Sequence, residues 1–390
     1  MILNEHFEES STIRIVHIAS FYGNLGDAAS HIGLYTILRN MLSCRIDIKQ
    51  IEIRRFYQNY SLSNKLYFDQ SFVENVNKYD FLIIGGGGFL DYWVPNSITG
   101  TTIDISQDNL RRLRVPTFLF SLGCIPHKDI PVGNVEKLHC FLQGIQDNEY
   151  VSLAVRNDGS INEIERLFGK NFSSKFYSIL DNGFFYQPQI VFKDLISKPY
   201  IAINFAVDQL YMNNRLLSKI NPEAFQQEMI NFIQMIIDNT DYNIVLVPHI
   251  YNDTAGYVTL LKRINDYYIR KRIAIAPYLQ GIDGCNLLFS FYSHAECIIG
   301  MRYHANVCNV ALRNRIIGLA ALDRVLYMYS SIDMGNNTIL ADRPFSEAIL
   351  SRILAQNYQY SGDKLCEKKG ETKEIYKRLF EKFGLPTNKI

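Results

Sequence analysis

The sequence has almost no net charge and no long apolar run, and each shortage excludes a class of function, whereas its single tryptophan by itself decides nothing. Its 40 basic and 39 acidic residues leave a formal charge of +1 over 390 residues. No general field therefore draws the chain to nucleic acid, and any anion must be held by local groups. No stretch approaches the roughly 18 continuous apolar residues of a membrane helix. The seven cysteines (Cys44, Cys124, Cys140, Cys285, Cys297, Cys308 and Cys366) are odd in number and scattered. They lack the close pairs of a zinc knuckle or redox motif, which fits a reducing compartment. Glu5, Glu8 and Glu9 precede the first apolar run, unlike the basic opening of a secretory peptide. The expectation is a cytoplasmic protein, with peripheral contact at the inner face of a membrane left open. No repeat, low-complexity linker or dense cluster of metal ligands is visible.

What is present is enough apolar material, 47% of the chain, for two cores. Short runs rich in branched residues alternate with helical spacing. One series comprises Thr12–Ile18, Arg45–Ile53, Asp80–Ile84, Val115–Gly123 and Val151–Arg156. A second comprises Tyr200–Phe205, Tyr242–Val247, Arg272–Ala276, Glu296–Ile299 and Arg315–Leu319. This alternation predicts an α/β protein of two doubly wound, Rossmann-like domains. The expected division is residues 1–195, residues 196–345, and a mostly helical tail, 346–390, packing back on the body. Pro222 after Asn221, with Phe225, Met229, Phe232 and Ile236 on one face, predicts a long capped helix.

Four strand ends carry the candidate chemistry. Cys297-Ile298-Ile299-Gly300 runs through Met301 into Arg302, Tyr303 and His304, placing a guanidinium and an imidazole where a strand turns into a helix. After the first strand, Gly23, Asn24, Gly26 and Asp27 form a turn that lets backbone approach a ligand, while Asp27 can cap the helix or accept from hydroxyls. This is not the dinucleotide fingerprint, whose glycines are spaced differently. Gly85, Gly86, Gly87 and Gly88 end a buried strand; four residues without side chains point to a close approach by substrate or to a tight packing turn. Arg156 closes another strand and suits a carboxylate or phosphate, or a local pair with Asp158. Trp93, just beyond the glycine run, can stack on a sugar or roof the core. Cys124 and His127 read better as a buried thiol and a loop histidine than as catalytic groups, since no acid or second histidine stands at a suggestive spacing, while His249 at a strand end fits a ligand contact and a plain loop position equally well.

Taken in order, Tyr22-Gly23-Asn24-Leu25-Gly26-Asp27, the Gly85–Gly88 run, Val155-Arg156-Asn157-Asp158-Gly159-Ser160 and Gly300-Met301-Arg302-Tyr303-His304-Ala305 resemble the landmarks of the polysaccharide pyruvyl transferases, over about Ile13 to Met334. The resemblance implies two Rossmann-like domains facing a central cleft, like the GT-B glycosyltransferases. It implies transfer of pyruvate from phosphoenolpyruvate to two hydroxyls of a sugar in a bacterial polysaccharide or its precursor, giving a cyclic ketal and phosphate. Arg156, Arg302 and His304 fall on the donor-binding and catalytic positions, and Arg324 stands where lysine is common. Tyr303 replaces the usual leucine, and Ala321 stands where tyrosine is common. Phosphoenolpyruvate carries two anionic groups that suit arginine forks, and its enol carbon must gain a proton, a task for a histidine. His304 is the expected proton donor, Arg302 and Arg156 the anion clamps, and Asp27 an acceptor-orienting group or base. Gly23, Asn24, Gly26, Gly86, Gly87, Gly88 and Arg324 are the expected binding residues. The route demands no metal or cofactor. A saccharide or lipid-linked saccharide acceptor, envelope glycan assembly machinery and a second copy of the chain are the expected partners. A nucleotide-sugar glycosyltransferase and a non-catalytic glycan-binding protein are the alternatives.

Overall fold

Runs of Ile, Val, Leu and Phe bounded by glycine make strands that are covered on both faces, and such strands pair in parallel. The computed structural model describes residues 12–193, 195–355, 358, 360 and 362–388. The acidic Glu5, Glu8 and Glu9 lie outside the described residues. Strands β1 (Thr12–Ala19), β2 (Arg45–Glu52), β3 (Phe81–Gly87), β4 (Thr117–Leu122), β5 (Val151–Arg156) and β6 (Tyr177–Ile179) form one sheet, ordered β2-β1-β3-β4-β5-β6. Strands β7 (Tyr200–Asn204), β8 (Asn243–Leu246), β9 (Ile273–Ile275), β10 (Cys297–Gly300), β11 (Ile316–Ala320) and β12 (Thr338–Leu340) form the other, ordered β12-β11-β10-β7-β8-β9. Every pairing in both sheets is parallel. These are two Rossmann-like α/β domains.

The chain divides into two compact units. One is built from the residues up to Phe21, Leu34–Asn182 and the segment from Cys366 onward; the other from Tyr22–Gly33 and Gly183–Leu365. In the first unit one face of the sheet buries Val16, Ile18, Leu82, Ile84, Leu119 and Leu153 with Phe141, Leu142 and Ile164. The C-terminal helix Asp363–Lys382 packs against the sheet as well. Tyr376 lies edge-on to Phe120 at 4.6 Å and donates to Asn182 Oδ1 at 2.6 Å, and Phe380 meets Phe118 at 5.7 Å. In the second unit, helix Pro222–Asn239 is capped by Asn221, which accepts from Glu223 N at 3.0 Å and Ala224 N at 3.1 Å. Its buried face carries Phe225, Met229, Phe232 and Ile236, as the periodicity predicts. Among the described residues no helix is long and apolar enough to cross a membrane.

Three features escape sequence reading. Strands β6 and β12 have three residues each, too few for any pattern to show, and stand at sheet edges. The aromatic stretch from Phe56 to Phe72 folds on its own rings, with Phe56 stacked on Phe68 at 4.2 Å. The glycine run also has local reasons: a Cβ on Gly85 would lie 2.1 Å from the carbonyl oxygen of Phe120, one on Gly87 2.6 Å from the Phe89 ring, and one on Gly88 2.6 Å from Asp91 Oδ2. Gly86 has φ of 81°, the left-handed region that glycine alone enters freely. Because Phe120 is backbone of the neighbouring strand and cannot move aside, Gly85→Ala should destabilise the protein by roughly 3 kcal/mol, the upper end for overpacking. Gly88→Ala meets the Asp91 side chain rather than backbone, at the cost of the bond that Asp91 Oδ1 accepts from Ile125 N, and should cost less than Gly85→Ala. Urea unfolding of both variants checks this, and equal losses would show that packing is not what selects glycine at position 85.

Candidate functional site

In the second sheet the chain steps from β7 to β8 on one side and later returns to place β10 on the other. The strand order therefore reverses between β7 and β10, the place where open α/β sheets take ligands outside their carboxyl ends. Three loops meet there. Asn204, the last residue of β7, accepts the Arg302 N–H at 3.0 Å and donates to Val247 O beyond β8 at 3.0 Å. Asn306, one turn into helix Tyr303–Ala311, donates to Gly300 O at 3.0 Å and Arg302 O at 2.9 Å, and accepts from Tyr329 OH at 2.9 Å. Two asparagines thus fix the turn that carries Arg302 and His304.

Arg302 is held between two carboxylates. Its Nε donates to both oxygens of Asp253, at 3.0 and 2.9 Å, and its Nη2 to Asp208 at 2.8 Å and to Asp253. Nη1 takes no part in these bonds. The Asp253 side chain is 1% exposed and that of Asp208 29%, so the first is a fixed countercharge and the second lies within reach of solvent. Burial works against the charge on Arg302, but Asp253 and Asp208 outweigh it and hold its pKa above the usual guanidinium value. Asp253 also accepts the N–H groups of His249 at 2.9 Å and Ile250 at 3.2 Å, which binds the guanidinium to the start of helix Tyr251–Leu261. Sequence reading missed Asp253, Asp208 and Asn204. They stand 49, 94 and 98 residues from Arg302, and their only local signal is that of ordinary loop and cap residues.

His304 is buried and its Nδ1 lies 3.4 Å from Asp27 Oδ1. The glycine turn is shaped to this ring: a Cβ on Gly26 would fall 2.6 Å from His304 Cβ and 3.1 Å from Nδ1, so only glycine allows the approach. The turn is tied down by Asn24, whose Oδ1 accepts Gly26 N at 3.0 Å, by Gln280, which accepts Gly23 N at 2.9 Å, and by Tyr278, which donates to Gly23 O at 3.0 Å. Leu25 N donates to His249 O at 3.0 Å. Gly23, Asn24, Gly26, Asp27, Arg302 and His304 therefore lie in one unit, with Gly26 and Asp27 against the imidazole. Arg324 stands in the first turn of helix Asp323–Ser331, after β11, and Ala321 is buried with its carbonyl accepting from Asn214 at 2.9 Å.

Arg156 ends β5 in the other unit, and it too sits between carboxylates. Its Nε donates to Asp158 at 2.6 Å and its Nη1 lies 3.5 Å from Asp181, with all three side chains at most 3% exposed. Ser160 bonds Asp158 and accepts Cys124 N at 2.7 Å, and Ser121 donates to Asp181 at 3.2 Å. Ser121 reaches it from a β-bulge with φ of 54°. Gly123 leaves room for the guanidinium, since a Cβ there would lie 2.8 Å from Arg156 Nη2. Gly86, Gly87 and Gly88 end β3 in this same unit.

The other sulfur and imidazole groups behave as structure. Burial, reinforced by Asp91, Glu163 and Asp158, pushes the Cys124 thiol well above its ordinary range, which keeps it from acting as a thiolate. His127 is buried in the loop after β4. His249 is fully buried, with Nε2 2.8 Å from Tyr292 OH, and burial together with Arg302 and His304 holds its pKa well below the usual value, so the ring is neutral. Among the described residues no three His, Cys, Asp or Glu side chains are grouped to hold a metal ion.

A family model described as polysaccharide pyruvyl transferase matches residues 24–310, more than half of the chain. No curated protein sequence matches it. Among solved structures it is similar to the UDP-GlcNAc 2-epimerase from Methanocaldococcus jannaschii, with 10% identity, 94% of this chain and 100% of that chain covered, and a TM-score of 0.52. A glycosyltransferase from Rickettsia africae ESF-5 is 13% identical, with 97% and 95% covered and a TM-score of 0.49. The likeness to the epimerase is one of fold.

Two outcomes follow from the charges. Asp253→Ala strands a buried guanidinium and frees two buried N–H groups, so it should cost about 3–5 kcal/mol in urea unfolding, whereas a loss under 1 kcal/mol would mean that Asp253 is not the countercharge. His249 is protonated more readily in the unfolded chain than in the fold, so its share of stability is complete above its unfolded pKa of about 6.5 and is lost as pH falls below it. The loss is at most about 1.4 kcal/mol per pH unit. Unfolding measured from pH 7 to pH 5 should show a shallower acid slope in His249→Asn than in the native protein, and parallel slopes would remove His249 from the titration.

Proposed function

The chain belongs to the polysaccharide pyruvyl transferase family, and from that premise we propose which of its residues carry out the reaction. The enzyme transfers the pyruvyl group of phosphoenolpyruvate to two hydroxyls of a sugar, forming a cyclic ketal and releasing phosphate. The observation that carries the assignment of roles is the Asp27–His304 pair beneath a glycine that admits it, at the point where the strand order reverses.

A carboxylate beside Nδ1 favours a ring that carries a proton there and leaves Nε2 to exchange a proton with substrate. In our reading His304 delivers that proton to the methylene carbon of phosphoenolpyruvate, which becomes the methyl group. A sugar hydroxyl bonds to C2, the bond from C2 to the phosphate oxygen breaks, and a second hydroxyl takes its place. Of the two protons that the hydroxyls lose, one restores the imidazolium and the other leaves with phosphate, so the histidine ends as it began. Asp27 steadies the imidazolium through both exchanges. Arg302 meets the donor through the Nη1 edge that Asp253 and Asp208 leave open, and incoming anion competes with the exposed Asp208 rather than with Asp253. Arg156, Arg324, Gly23, Asn24 and Gly86 to Gly88 remain proposed substrate-binding positions. No cofactor is required in this reading, because proton transfer and charge pairing supply each step. The acceptor is proposed to be a saccharide or a lipid-linked saccharide, and the enzyme to be cytoplasmic with peripheral contact at the inner face of the membrane; flotation with vesicles carrying a lipid-linked glycan would detect that contact.

Incubation with phosphoenolpyruvate and candidate glycans, followed by mass spectrometry for the ketal and assay of equimolar phosphate, tests the reaction. Within it, His304→Gln should lower turnover by roughly 10²- to 10⁴-fold while donor titration stays near normal, since an amide is a poor proton donor. Arg302→Ala should weaken donor binding as well. Native turnover in His304→Gln would show that another group supplies the proton.

A further inference from the structure

The first unit contains a cavity of about 350 Å³ to which the roles above assign nothing. Its walls come from two stretches, residues 56–59 beyond the end of β2 and residues 93–104 beyond the end of β3. β1 lies between these two strands, and the strand order reverses between β1 and β3, so the cavity stands at the carboxyl ends beside the switch point of its own sheet. Its volume falls within the range of roughly 300 to 1,000 Å³ typical of small-molecule sites.

The lining discriminates among ligands. Most of the wall is apolar, with Tyr57 and Trp93 supplying aromatic surface; Gln58, Asn59 and Thr102 supply amides and a hydroxyl at its edge, and Asp104 is the one charged residue of the lining. A phosphorylated or carboxylated ligand would meet the Asp104 carboxylate and no cation in the lining, since the nearby Lys65 is committed to the Tyr57 and Gln58 carbonyls and Lys128 to the Trp93 ring, which argues against the donor and against a nucleotide. A purely apolar ligand would strip water from the amides without replacing their hydrogen bonds. A saccharide fits both kinds of surface, since its C–H face suits an aromatic ring and its hydroxyls both donate and accept.

The walls are also set in advance. Asn134 Nδ2 donates to Tyr92 O and Val94 O, each at 3.0 Å, which fixes the backbone on both sides of Trp93. Farther along, the hydroxyls of Ser97, Thr99 and Thr101 bond one another, and Asp104 Oδ1 accepts Ile98 N at 2.7 Å. Lys128 Nζ sits 3.8 Å from the centroid of the Trp93 ring and holds the indole by a cation–π contact. Walls ordered by their own hydrogen bonds lose little freedom when a ligand enters.

We propose that this cavity is a saccharide subsite that holds the acceptor glycan, with Trp93 as its stacking platform and Gln58, Asn59, Thr102 and Asp104 as its hydroxyl-binding rim. The proposal rests on the reading that the acceptor is a sugar. Trp93 is the only tryptophan in the chain, so its emission reports on this cavity alone. The probes are the methyl glycosides of glucose, galactose, mannose and N-acetylglucosamine and their disaccharides. At least one should change the emission saturably. Trp93→Ala should raise the acceptor KM at least 10-fold, and Asn59→Ala should raise it about 3-fold, while the KM for phosphoenolpyruvate stays within twofold in both. Emission that none of the probes alters overturns the proposal, as does a Trp93→Ala enzyme whose acceptor KM is native. Ketal formation without any emission change defeats the subsite and leaves the pyruvyl transfer standing. A saturable emission change without ketal from any probe defeats the transfer reading for these sugars and leaves the subsite standing.

Discussion

A guanidinium taken out of water has to bring its countercharge with it, and the second unit is arranged around that requirement. Arg302 caps helix Tyr303–Ala311 after β10, and the carboxylate that neutralises it comes from Asp253 after β8. The same carboxylate accepts two backbone N–H groups at the start of its own helix. One side chain thereby joins the ends of β10 and β8, with Asn204 of β7 bonded between them. The geometry of His304, two residues farther on, follows from this tie, because the helix that carries it starts where Arg302 is held.

Arg156 repeats the arrangement in the first unit with other partners. Both arginines carry two aspartates, so neither pair is a bare positive site, and each guanidinium is oriented before any ligand arrives. Orientation of this kind favours reaction when an anion gains charge or leaves, since no reorganisation is needed at that moment. The paired carboxylates also lower the net positive charge that each guanidinium presents. The two carboxylates of Arg302 differ in the way that matters for exchange: Asp253 is sealed in, and Asp208 faces solvent.

His304 and His249 show how environment separates two histidines in the same unit. His304 faces a carboxylate, which suits a ring that gains and loses protons. His249 is fully buried beside Tyr292 and is held neutral by burial and by the positive groups around it. The first is suited to proton transfer and the second to holding the loop whose backbone meets Asp253 and Leu25.

Much of the fold could be read from the chain alone, because strand runs ending in glycine and helices with a 3.6-residue apolar period are local properties. Two α/β series, the capped helix at Pro222, and the placement of Arg156, Arg302 and His304 at strand-to-helix turns were all legible in this way. The ordered motifs carried the family. Tertiary structure decided what the motifs do to one another. Asp253 and Asp208 lie far along the chain from Arg302, and carboxylates in a cap or loop look alike in sequence whether or not a distant guanidinium folds onto them. Gly26 reads as a turn glycine, yet its reason is the His304 ring across the fold; Gly85 reads as room for a ligand or as a tight packing turn, and its missing Cβ makes room for the Phe120 carbonyl. Sequence determined which side chains stand at the ends of strands, since periodicity is set by neighbours. Only folding decided their charge partners and clearances, since those depend on which strand ends the crossovers bring side by side.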